Sequence, residues 1–182
     1  VREALVGDTV EGKRVAGRLR AMRDSATSQV FERNFAPWFV LLDGAPAYRR
    51  EDWAAVVNQL EPMVTHIRDP GVGGYLPGAA FLSWWLLADA YEGLGQPDTA
   101  IRYLEAFFRR PTERLDDWTF HGFFHPTARL RLGRLYAEVG NGVKAEGHLV
   151  AFLDTFNDPD PEYEWMVEEA QRILAELGSS PS

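Results

Sequence analysis

The sequence predicts an all-α fold, in which antiparallel helix pairs stack into a solenoid closed by a C-terminal capping helix. Three observations predict it. Landmarks recur 45 residues apart: Leu87 and Leu132, Ala88 and Gly133, Tyr91 and Tyr136, Gly95 and Gly140, Ala100 and Ala145, Leu104 and Leu149. A fixed period of this kind marks a repeat architecture. Small residues at 88, 133, 100 and 145 let two helix backbones approach, while Gly95 and Gly140 supply the left-handed residue that stops a helix. Elsewhere the apolar residues fall at helical spacing.

The elements follow in chain order. Residues 1–24 carry one amphipathic helix, with a start signal at Gly7, Asp8 and Thr9 and an apolar side of Val10, Val15, Leu19 and Met22. Its polar face holds Arg14, Arg18 and Arg20, a solvated face that also suits an acidic partner. Asp24 and Ser25 break it. A second helix carries Val30, Phe31, Phe35, Trp38, Phe39 and Leu42, kinked or broken at Pro37. Asp43, Gly44, Ala45 and Pro46 have turn composition. Glu51 to about Thr65 forms the next helix, with Trp53, Val56, Val57, Leu60 and Val64 on one face. Ala55 lies 45 residues before Ala100, which marks an earlier, degenerate repeat with Asp43 and Pro46 at its small-residue and Tyr positions.

Arg68 to Leu76 is an irregular loop. It has no Lys-Ser or Lys-Thr after it and no strand before it, so it does not cradle phosphate. The best pair spans 78–93 and 97–109, with Pro97 opening its second helix. A connector from Thr112 to Phe124 precedes the pair 126–139 and 142–156. Asp158 to Pro161 then leads into a helix ending near Leu177, with Trp165, Ala170, Ile173, Leu174 and Leu177 on its apolar side and acids opposite. The expected layout is one domain over 1–178: degenerate helices over 1–49, repeats over 50–159 and a capping helix over 160–178. A disordered tail follows over 179–182.

Composition narrows the function. With 46% hydrophobic and 13% aromatic residues, the 182-residue chain is long enough to bury a substantial core. Its net charge of −8 disfavours nucleic acid as a partner. No apolar run approaches the roughly 18 residues of a membrane span, so membrane insertion is not expected. The absence of cysteine removes disulfides, thiol catalysis and thiolate metal sites, and leaves the compartment open, with the cytoplasm the favoured setting. Val1 in place of Met, with no signal-like segment, is expected of a piece cut from a longer protein.

Catalytic chemistry has little to stand on. His121 and His125, with Asp116 and Asp117 upstream, offer a zinc-like set, but that spacing works best on a helix, which Gly122 and Pro126 disfavour. His125 and Pro126 read instead as the lead-in to the next helix. His66 and His148 have no evident catalytic partner, and Ser83 lacks the glycines of a nucleophile elbow. No catalytic residue, metal or cofactor is expected.

Trp84, Leu87, Tyr91 and Ala100, with Ala88 for Gly and Leu104 for Phe, resemble the tetratricopeptide pattern W-x2-L-G-x2-Y…A-x3-F. Leu132, Gly133, Tyr136 and Ala145 repeat it, with Arg129 at the Trp position. The family's usual repeat is 34 residues, and the extra eleven per period fit into the two long connectors. Phe152 to Pro161 and the helix after it are also similar to tetratricopeptide regions ending large bacterial regulators, behind kinase, cyclase or winged-helix domains. The resemblance implies a right-handed solenoid and a scaffolding or sensing role, not catalysis.

It also implies a concave, partner-binding stripe of Leu82, Trp85, Asp89 and Glu92 in one repeat, and Thr127, Leu130, Arg134 and Glu138 in the next. Co-chaperone relatives grip a peptide carboxylate with Lys and Asn on this stripe; Asp89 stands where Asn is wanted, so that activity is not carried over. Trp85 flanked by Asp89 and Arg134 forms an aromatic anchor with a mixed-charge rim, and burial of Trp85 against a neighbouring repeat is the competing reading. Glu92 and Glu138 favour a protein or peptide segment that sets Arg or Lys beside an apolar anchor. A second copy of the chain is a further candidate partner. The alternative function is ligand sensing, with the groove closing over a small molecule or peptide.

Overall fold

The computed structural model describes residues 9–25, 29–67, 77–108 and 118–179. They form eight α-helices: α1 (Thr9–Ser25), α2 (Gln29–Arg49), α3 (Trp53–Ile67), α4 (Pro77–Gly93), α5 (Pro97–Glu105), α6 (Trp118–Glu138), α7 (Gly142–Thr155) and α8 (Glu164–Ser179). Short 3-10 turns follow α5 (Ala106–Phe108) and precede α8 (Pro161–Tyr163). The chain divides into two compact units, Val1–Gln96 and Pro97–Ser182.

In the first unit α2, α3 and α4 each pack against the other two, and α1 rests on α2. Their core includes Phe39, Leu41, Leu42 and Ala45 of α2, Val56, Leu60 and Val64 of α3, and Leu86, Leu87 and Ala90 of α4. Burying the Val, Leu and Phe side chains among them stabilises the fold by about 1.5–3 kcal/mol each before ordering costs. Helix α4 is buried almost all round along Leu86–Tyr91, as its near-continuous apolar sequence requires. Trp53 of α3 lies where a side chain at Gly93 would be, since a Cβ there would come within 2.5 Å of Trp53 Cδ1. The same indole meets Tyr48 edge-on at 5.6 Å. Val10 and Met22 of α1 face solvent, contrary to the apolar side expected for them; Ala16 is buried instead. Two of the arginines on α1 are satisfied within the unit, Arg14 by Glu11 and Arg20 by Asp43, and Arg23 lies over the Phe39 ring.

In the second unit α6 and α7 form an antiparallel pair, α5 packs on α6, and α8 packs on both α6 and α7. Leu130, Leu149, Phe152, Met166, Ala170 and Ile173 make its core. Gly133 brings α6 hard against α7, for a Cβ there would sit 2.5 Å from Leu149 Cδ2 and closer still to Cγ. Met166, not Trp165, supplies the apolar residue at the start of α8; Trp165 is 56% exposed.

Three helix–turn–helix junctions share one construction. After α4, the Gln96 N–H donates to Tyr91 C=O (2.8 Å) and the Gly95 N–H to Glu92 C=O (2.9 Å). After α6, the Asn141 N–H donates to Tyr136 C=O (2.8 Å) and the Gly140 N–H to Ala137 C=O (3.0 Å). After α2, the Asp52 N–H donates to Ala47 C=O and the Glu51 N–H to Tyr48 C=O, both at 3.0 Å. This double bond around a left-handed residue is the Schellman cap, and Gly95, Gly140 and Glu51 have φ of 68°, 77° and 56°.

These junctions correct the sequence register. Glu51, Gly95 and Gly140 stand 44 and then 45 residues apart, as do the helix starts Trp53, Pro97 and Gly142. The earliest repeat is therefore one residue shorter. Buried Val56, not half-buried Ala55, matches Ala100; Gly44, not Asp43, takes the small-residue place, and Ala47, not Pro46, that of Tyr91.

Three expected breaks are absent. Helix α2 runs through Pro37 and through Asp43–Pro46 as far as Arg49, and α6 begins at Trp118 and runs through Pro126. Each proline removes one donor to a carbonyl four residues earlier, a local loss that the packed helix on either side outweighs. The loop at 68–76 and residues 109–117, which include the first part of the second connector, lie outside the described residues, as does the tail from residue 180.

Candidate functional site

The eight stripe positions divide between the units, four on α4 and four on α6, and each set is placed on its own unit. On α4, Trp84 is buried, with only 7% of its surface exposed, and Trp85, one residue on, is half-buried and engaged by its surroundings. The 100° step of a helix explains the difference between adjacent tryptophans. Leu82 and Glu92 are also half-buried. Asp89 accepts a hydrogen bond from the Tyr48 hydroxyl at 2.6 Å, so its carboxylate ties α4 to α2. On α6, Arg134 and Glu138 are exposed and Thr127 is half-buried. Leu130 leaves the stripe: it is 4% exposed and belongs to the core that α7 and α8 close. The capping helix covers that side of α6, which a stripe drawn from family geometry did not anticipate.

The continuous α6 puts positions 121 and 125 one helical turn apart, the arrangement that the sequence disfavoured. The His121 side chain and residues Asp116 and Asp117 lie outside the described residues. The His125 ring packs edge-on against Phe108 at 4.3 Å. No cluster of three or more His, Asp or Glu suited to a metal occurs among the described residues. Ser83 is fully buried and engaged, and the His66 side chain lies outside the described residues.

Sequence reasoning missed what the repeated tyrosines do. The Tyr91 hydroxyl donates to a Glu61 carboxylate oxygen at 2.7 Å, joining α4 to α3. The Tyr136 hydroxyl donates to Glu105, joining α6 to α5. Glu61 and Glu105 are 44 residues apart and the tyrosines 45, so the bond belongs to the repeat. A search for recurring polar residues beside the apolar ones would have found it.

In the second unit the bond has acquired neighbours. Lys144 of α7 donates to the Tyr136 hydroxyl at 2.9 Å and approaches Glu105 at 3.4 Å, with its ammonium 4.6 Å from the Tyr136 ring centre. Burial first, and then the bond to Glu105, push the Tyr136 pKa up. The bond to Tyr136 raises that of Lys144. Both groups therefore stay protonated at neutral pH, which suits a contact that holds helices together and not a base or nucleophile.

No family model, curated protein or solved structure matches this chain. Among the described residues, no helix is long and apolar enough to cross a membrane.

Proposed function

We propose that this chain is a tetratricopeptide-like repeat module of right-handed solenoid type, binding a protein or peptide partner within a larger bacterial regulatory protein and performing no chemistry of its own. The observation that carries the reading is the recurrence of one junction three times at 44- and 45-residue spacing, each with the same cap and the next helix starting at the same distance. Repeated helix pairs of this kind present extended surfaces for recognition and place little emphasis on single reactive groups. The Tyr–Glu bonds between successive helices support the same reading.

Each unit carries its own part of the proposed stripe: Leu82, Trp85 and Glu92 on α4 of the first, and Thr127, Arg134 and Glu138 on α6 of the second. Asp89 acts from behind by holding α4 on α2, and Leu130 is left to the core. Trp85 is the anchor, because a large aromatic residue that is only half-covered has apolar surface left to give a partner. The acidic residues favour a partner segment with Arg or Lys beside its apolar anchor.

The test is one mutant with two readouts. Capture from the source cell identifies the partner, and Trp85→Ala should then weaken binding by about 2 kcal/mol or more with little change in melting temperature. A loss of about 3–5 kcal/mol of stability, with binding intact, identifies Trp85 as packing and removes it from the surface.

A further inference from the structure

His148 on α7 occupies an unusual place in the second unit. Its ring stacks on Tyr136 of α6, with centroids 5.6 Å apart and planes 13° apart, and lies 6.0 Å from the Phe108 ring. Its Nδ1 is buried and has no hydrogen-bond partner. Whichever tautomer forms, that nitrogen forgoes the water it would bind in the unfolded chain. The charged and titratable groups around it come from every helix that packs there. Helix α5 brings Glu105, and α6 brings Tyr136, His125 against Phe108, and Arg129, whose guanidinium lies 4.8 Å from the Phe108 ring centre. Lys144 comes from α7 itself, and α8 presents α7 with the apolar side chains of the core. A new positive charge on His148 would thus face two fixed cations and one carboxylate, with its buried nitrogen unsolvated.

We propose that His148 makes the α5–α6–α7 junction an acid-sensitive latch, closed while the imidazole is neutral and loosened when it takes a proton. The electrostatics agree: burial foremost, then Arg129, with a smaller push from Lys144 and an opposing pull from Glu105, hold its pKa below the ordinary 6.5. With the folded value below the unfolded one, the unfolded chain takes the proton first as pH falls. The latch is at full strength above about pH 6.5 and weakens as pH drops from there through the folded value. Tyr136 and Lys144, both shifted upward, stay protonated as the pH falls. The first unit is an internal control. Its Tyr91–Glu61 bond is the counterpart of Tyr136–Glu105, and the residue 45 positions before His148 in the sequence is Tyr103, not a histidine.

Hydrogen exchange on the full chain, corrected for intrinsic rates, tests the latch at about pH 7.5 and about pH 5.5. The amides of α6 and α7 should lose protection several-fold at the lower pH while those of α3 and α4 hold theirs, and His148→Gln should remove the difference. Unchanged protection of α6 and α7 in the wild type, or an equal loss in His148→Gln, overturns the proposal. Should that variant not fold, the imidazole resonances of the wild-type chain decide: titration of His148 at or above about pH 6.5 overturns the latch, and titration below it supports it.

Discussion

Adding one methyl group at Gly133 tests how closely α6 and α7 approach. Normal carbon–carbon contact is about 3.5–4.0 Å. An alanine Cβ at 133 would stand 2.5 Å from Leu149 Cδ2, an overlap of an ångström or more. Leu149 cannot swing aside, because it is fully buried in the core with Phe152, Met166 and Ala170. Overpacking of this kind costs about 1–3 kcal/mol. Alanine regains about 1 kcal/mol over glycine as a helix former, so Gly133→Ala should lose up to about 2 kcal/mol net. Gly147 on α7 supplies the control: nothing lies within 4 Å of a Cβ there, and Gly147→Ala should stabilise by about 0.4–1 kcal/mol.

The decisive measurement is a double-mutant cycle followed by urea denaturation. Leu149→Ala alone should cost about 2–5 kcal/mol, from lost burial and the cavity it leaves. Once that cavity exists, Gly133→Ala has room and keeps only its helix-forming gain, so its effect should change sign to about 1 kcal/mol stabilising. A Gly133→Ala chain as stable as wild type or more so, with no sign change in the Leu149→Ala background, would refute the close approach of the two backbones.

Two further outcomes check the remaining framework. Glu51 holds φ of 56° where the other two junctions use glycine, so Glu51→Gly should raise stability by up to about 1 kcal/mol, read as a higher melting temperature. Trp84→Ala should cost about 3–5 kcal/mol in chemical denaturation, while Trp165→Ala, on the exposed face of α8, should change stability by no more than about 0.5 kcal/mol.

The helical class, most helix positions and both glycine caps were legible in the sequence, because periodicity and stop residues are local signals. Gly95 and Gly140 fall in the left-handed region as expected. Prolines misled: Pro37, Pro46 and Pro126 signal breaks locally, but neighbouring helices pay for the lost bonds and α2 and α6 continue. The one-residue shift in the earliest repeat escaped detection because Glu51 replaces the glycine that would have marked it. Trp165 fits an apolar stripe by spacing, yet the neighbouring Met166 turns inward, and spacing alone does not separate adjacent residues at a helix start. At the surface, Asp89 and Leu130 make contacts far away in sequence, with Tyr48 and with α8, that helical spacing does not reveal. The His148 surroundings were invisible, since they gather side chains from α5, α6 and α7 that no motif links.

The junctions also explain how a repeat tolerates losing its markers. Each is fastened by several devices that act on different groups, so none is indispensable. The junction after α2 lacks glycine, but its residues still close both cap bonds, and Asp52 Oδ1 accepts from the Ala55 N–H to start α3. The junction after α4 has Gly95 and opens α5 with Pro97, which needs no donor partner at that position. The junction after α6 has Gly140 together with Asn141, whose side chain accepts from the Lys144 N–H. Backbone geometry is the shared element and side chains are the interchangeable ones. A sequence search keyed to residue identity therefore weakens toward the N-terminal helices faster than the structure does, and hydrogen-bond pattern is the more durable mark of the repeat.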